Sequence, residues 1–165
     1  MTVTIEPWGP DDLPLLERLM GDAVMTEHLG GPEARAKIAE RHERYVRARA
    51  GDRMFRIVDS DSGEGAGSVG YWDKEWRDEA VYEIGWMVLP EFQGRGIAAE
   101  ATRLAIGHAA RDGKHRYIHA FPNVTNAASN AICRKLGFTF LGEYDFEYPK
   151  GNPIRCNDWR LDLAG

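Results

Sequence analysis

Hydrophobic positions recur along this chain with two periods, near two and near 3.6, and the switches between them predict the order of its elements. Val3 to Glu6 reads as a short strand. Pro10-Asp11-Asp12 supplies a helix-start signal ahead of Leu13, Leu16, Leu19 and Met20, whose spacing makes one apolar face. Gly30-Gly31-Pro32 opens a second helix that runs to about Arg49, with Ile38, Tyr45 and Val46 as its buried stripe. Arg53 to Asp59 alternates as a strand, and the polar run Asp59 to Gly65 turns it into another strand through Val69 and Tyr71, an antiparallel hairpin.

Val81 to Leu89 is apolar on both faces apart from Glu83, the pattern of a central strand covered on each side. Past Pro90 comes a glycine-bearing turn, and then a helix whose apolar positions Ile97, Ala101, Leu104, Ala105 and Ala109 keep helical spacing. His115 to Phe121 gives the next strand, and Asn126 to Leu136 a helix ended by Gly137. Phe138 to Tyr148 and Ile154 to Leu163 give the last two strands. The expected fold class is mixed α/β with an antiparallel front half, in one domain over residues 1–165, since no linker, repeat or low-complexity run divides it.

Composition narrows the function. A formal charge of -5 argues against a nucleic-acid surface, and Arg35 to Arg49 interleaves its cations with Glu40 and Glu43 as a solvated helix face does. No apolar run approaches the ~20 residues that span a bilayer, and the start lacks a signal-peptide pattern, so a cytoplasmic protein without a membrane partner is expected. The two cysteines, Cys133 and Cys156, and five scattered histidines have no metal-ligand spacing, so no metal is expected.

The chemistry concentrates in the turn Gln93-Gly94-Arg95-Gly96-Ile97-Ala98. It places several backbone N–H groups at a helix start, where a diphosphate could sit, with glycines permitting close approach and Arg95 adding charge at the rim. A strand-to-helix turn also uses glycine for conformation alone, and both readings stand at this point. No Gly-x-x-x-x-Gly-Lys-Ser/Thr run exists, and Ala99 breaks a dinucleotide-binding Gly-x-Gly-x-x-Gly.

The run Tyr82 to Ala98 resembles motif A of the GNAT N-acetyltransferases, with its Gln/Arg-x-x-Gly-x-Gly/Ala signature, and Asn126 to Phe138 resembles motif B. The Asn-x-x-Ser form and the Glu100-Ala101 pair are most similar to the subgroup related to ribosomal-protein N-terminal acetyltransferases. The resemblance covers about residues 53 to 163. It implies a GNAT-like fold, a mixed six- to seven-stranded sheet with about four helices and splayed central strands, with motif A at 80–112, motif B at 114–138 and variable acceptor-side helices in residues 1–50. It also implies acetyl transfer from acetyl-CoA, the cosubstrate, to a primary amine on a small molecule or a protein N-terminus, by direct attack in a ternary complex.

By the same resemblance, acetyl-CoA would lie where the strands of Trp86 to Leu89 and His115 to Phe121 part. Met87, Val88 and Leu89 would meet the pantetheine arm, Gln93 to Ala98 the diphosphate, and Asn126 and Ser129 the arm and sulfur. Asn126 reads equally as a helix N-cap. An attacking amine must be neutral, and two carboxylates are candidates for the base that takes its proton: Glu83, the one charge in an apolar strand, and Glu147, near the end of the strand after motif B. Ser129 is the candidate acid, since Cys133 stands where many relatives have tyrosine. That departure motivates an alternative, a non-catalytic acyl-CoA sensor. The acceptor is expected between the first two helices and the strands of Glu83 and Glu147, with Trp8, Trp72, Trp76, Tyr82, Trp86 and Tyr144 as aromatic surface. Homodimerisation is common among such relatives.

Overall fold

The computed structural model describes residues 3–47 and 52–165. Seven strands form one sheet in the order β1-β2-β3-β4-β5-β7-β6: β1 Val3–Pro7, β2 Arg53–Asp59, β3 Glu64–Trp76, β4 Glu79–Val88, β5 Tyr117–Ala120, β6 Thr139–Glu147 and β7 Pro153–Asp162. All neighbours pair antiparallel except β4 and β5, the strands linked through helix α3, Ile97–Asp112. Three further helices, α1 Leu13–Met20, α2 Arg35–Arg47 and α4 Ala127–Lys135, complete the mixed α/β architecture.

Strand alternation sorts the side chains onto two faces. Phe55, Ile57, Tyr71, Tyr82 and Ile84 are buried on the face covered by α3, where His108 lies 4.9 Å from the Phe55 ring. The opposite face carries Arg56, which bonds Asp12 ahead of α1, and Gly65, against which Leu15 of α1 packs. Glu83 belongs to this second face. Ile97, Ala101, Ala105 and Ala109 are buried along α3, and the three alanines let the helix sit close to the sheet.

Three expectations change. Helix α2 begins at Arg35 rather than at the glycines, and its end near Arg49 lies outside the described residues. Val46 is 37% exposed, and His42 takes its place in the stripe by accepting the Trp8 indole N–H at 3.0 Å. Strand β3 runs on to Trp76 and turns directly into β4 through Arg77 and Asp78, whose φ angles are 51° and 64°. Positive φ at both central residues matches a type I′ hairpin, which usually advertises itself with Asn-Gly or Asp-Gly. Here Arg-Asp hides it.

Candidate active site

The β4–β5 ladder consists of two pairs, Tyr82 with Ile118 and Glu83 with His119. β4 then continues to Val88 paired with β3 alone. The sheet therefore opens after Glu83. Leu89 donates its N–H to Ala66 on the β3 side at 2.8 Å, so the regular antiparallel alternation turns the backbone groups of Trp86 and Val88 towards the opening. Of the three residues Met87, Val88 and Leu89, only Val88 aims its main chain into the gap, and Trp86 joins it. The Val88 carbonyl accepts the Gln93 amide at 2.9 Å, which ties the strand end to the following turn and leaves the Val88 N–H facing the gap.

That turn is built on conformation. Gly94 and Gly96 have φ of 77° and 76°, a region costly for other residues, and a Cβ on Gly94 would meet nothing within 4 Å. The space beside the turn is thus open. Gly96 caps α3, whose first internal bond runs from Glu100 N–H to the Gly96 carbonyl at 3.2 Å. The N–H groups of Ile97, Ala98 and Ala99 precede that bond and point out of a 16-residue helix. Arg95 is drawn aside: its guanidinium lies 3.4 Å from buried Asp59 and leaves 45% of its side chain exposed at the rim.

Across the gap stands α4. Asn126 is its N-cap, its side chain accepting the Ser129 N–H at 3.1 Å, and Ser129 is half-buried in the first turn. Asn130, which the sequence did not single out, anchors the helix. Its Oδ1 accepts from Asn157 and from the Trp159 indole, both at 2.8 Å, and its amide donates to the carbonyls of Asn123 and Asn126. Cys133 is fully buried, and burial pushes its thiol up to about 12, so no thiolate is available for a covalent step.

Glu83 faces the α1 and α2 side, with 24% of its side chain exposed. Burial raises its carboxyl above the ordinary value, against the opposing pull of Lys74, whose ammonium is 3.5 Å away. Behind it, His119 Nδ1 lies 2.6 Å from Asp158, which also accepts the Trp76 indole N–H at 3.0 Å. His119 Nε2 is buried without a hydrogen-bond partner. Lys74, His119 and Asp158 carried no signal in the sequence, because each becomes meaningful only through a neighbour on another strand.

Glu147 is not brought to Glu83. It is exposed, shares a face with Glu143 and Asp145 rather than with Tyr144 and Phe146, and accepts the Gly151 N–H at 2.7 Å across the β6–β7 turn. Of the expected aromatic surface, Trp72, Trp76 and Tyr144 do lie on the Glu83 face. Tyr82 is fully buried under α3, Trp86 points to the same side as Tyr82, and Trp8 packs against Tyr45 at 5.5 Å.

Known proteins share this fold. Residues 2–139 match the acetyltransferase (GNAT) domain family, which extends the likeness over the first 50 residues. The chain is 31% identical over 74 residues to the uncharacterized N-acetyltransferase YnaD of Bacillus subtilis, a match spanning 45% of this chain and 44% of that protein. It is 27% identical to the spermidine N(1)-acetyltransferase of Escherichia coli over 150 residues, 89% of this chain and 78% of that one. The fold superposes on spermidine N-acetyltransferase from Vibrio cholerae, solved with CoA and spermine, with a TM-score of 0.81 at 16% identity, covering 99% and 96% of the two chains. It also superposes on the ribosomal L7/L12 α-N-protein acetyltransferase RimL, with a TM-score of 0.77 at 23% identity over 98% and 91% of the chains. The chain belongs to the acetyltransferase (GNAT) family, the family of acetyl-CoA-dependent N-acetyltransferases.

Proposed function

We propose that the protein transfers the acetyl group of acetyl-CoA to a primary amine by direct attack in a ternary complex, with Glu83 as the base. The observation that carries this reading is the opening of the sheet immediately after Glu83, which sets a half-buried carboxylate at the apex of a gap edged by unclaimed backbone donors. Acetyl-CoA supplies an acetyl group already activated as a thioester. The N–H groups at the start of α3, with Gly94 leaving room, hold the diphosphate, and Arg95 adds charge at the edge. Gln93 fixes the strand end, so that the N–H of Val88 or Trp86 meets the carbonyl oxygen where negative charge develops. One such fixed donor contributes about 3 to 4 kcal/mol elsewhere.

Glu83 takes the proton of the incoming ammonium, directly or through a water, and its raised pKa brings it closer to the amine it must deprotonate. Ser129, half-buried at the start of α4, returns a proton to the departing thiolate, and Asn126 holds that helix end in place. The named activities of the spermidine-acetylating relatives support an amine acceptor. The test pairs calorimetric titration with acetyl-CoA against turnover of an amine panel. Glu83→Gln should bind acetyl-CoA as the wild type does and lose about 10²- to 10⁴-fold in kcat/KM, whereas Glu147→Gln should keep its activity. Equal activity in wild type and Glu83→Gln removes Glu83 as the base, and no acetyl-CoA binding by the wild type removes the whole reading.

A further inference from the structure

The Lys74 ammonium does more than pair with Glu83. It stands over three aromatic rings at once, 5.8 Å from the Trp76 centroid, 5.2 Å from Phe121 and 5.8 Å from Phe146. Those rings support one another, Trp76 lying 5.0 Å from Phe121 and 5.3 Å from Phe146. Rings on one side and a carboxylate on another make a built receptor for an alkylammonium ion. The ligand inside it is the chain's own side chain, a primary amine on an unbranched aliphatic stem.

We propose that Lys74 is an internal occupant of the acceptor's ammonium subsite, and that an unbranched primary alkylamine enters by displacing it. The inference rests on the acetyltransferase reading above and names the acceptor class within it. Three observations favour displacement over a permanent structural pair. The Lys74–Glu83 separation of 3.5 Å is longer than the ~2.7–2.9 Å of a well-seated charged hydrogen bond. Both side chains keep solvent contact, 27% and 24% exposed, so the receptor has a mouth. Lys74 also sits on the face of Glu83, two positions along β3 from Trp72, the direct partner of Glu83, so a ligand in the receptor has its nitrogen beside the proposed base. Lysine suits such a role, because its flexible stem can swing to solvent while its charge remains hydrated.

The subsite is tested without turnover by titrating n-butylammonium into wild type and Lys74→Met calorimetrically, at a pH where Glu83 is ionised. Methionine keeps the stem and removes the charge. The variant should bind n-butylammonium about tenfold more tightly, since the competing internal cation is gone and Glu83 is unpaired. Adding Phe146→Leu should take that gain away, and KM for alkylamines should fall in Lys74→Met while acetyl-CoA affinity is unchanged. If Lys74→Met is unstable, Lys74→Gln carries the same expectation. Equal or weaker n-butylammonium binding in the folded Lys74 variants overturns the subsite, as does a gain that survives Phe146→Leu. Acetyl-CoA binding and turnover by the wild type report separately on the acetyltransferase reading.

Discussion

Removing the Asn130 side chain should destabilise the protein by an amount that its hydrogen bonds allow one to work out. Asn130→Ala orphans the Trp159 indole N–H, which belongs to a residue only 5% exposed, at a cost of about 1 to 3 kcal/mol. Asn157 also loses its acceptor but is half-buried and can turn to water, so its share is below ~1 kcal/mol. The two carbonyls suffer less: Asn123 still accepts from Asn126 N–H at 2.9 Å and Asn126 from Asn130 N–H at 3.1 Å. Losing a second bond at each adds roughly 1 kcal/mol together. The sum is about 2 to 5 kcal/mol, or a fall in Tm of about 4 to 20 °C for a chain of this size. Thermal and denaturant unfolding monitored by circular dichroism would read it. Repeating the substitution in a Trp159→Phe background, where no indole is left to orphan, should cost at least ~1 kcal/mol less. A Tm drop under about 3 °C, or the same cost in both backgrounds, would refute the assignment of Asn130 as the anchor of α4.

Three further outcomes follow from the site. The acid limb of the kcat/KM profile should lie above the ordinary carboxylate range, because Glu83 must be ionised to accept a proton and burial raises its pKa; Lys74→Met removes an opposing cation and should move the limb to still higher pH, and an unmoved limb would mean that another group titrates. Gly94→Ala should fold, since its Cβ meets no neighbour, at a cost of about 1 to 2 kcal/mol for the left-handed φ, and should weaken acetyl-CoA binding by filling space at the mouth of α3; unchanged calorimetric affinity would show that the diphosphate lies elsewhere. Cys133 should resist iodoacetamide at pH 8 in the folded state and react on unfolding, as followed by mass spectrometry, whereas rapid modification of the native protein would contradict its burial.

Local chemistry made much of this protein legible from its sequence. Period-two and period-3.6 patterns gave all seven strands and four helices, because side-chain alternation and helical facing are set by neighbours a few residues apart. The turn at Gly94 and Gly96 was readable because its positive φ angles demand glycine, and it carried the family resemblance only together with the strand before it and the helix run Asn126 to Phe138. What touches Glu83 was decided only in three dimensions: Lys74 reaches it through the β3–β4 register, and His119 faces Asp158, 39 positions further along the chain. Glu147 shows the same limit. A bulge between Phe140 and Gly142 shifts the β6–β7 register by one residue, and since side chains alternate, a one-residue shift exchanges the faces for the rest of the strand. Period alone cannot say on which side of such a bulge a carboxylate emerges, and that side determines whether Glu147 shares the face of Glu83 or caps a turn.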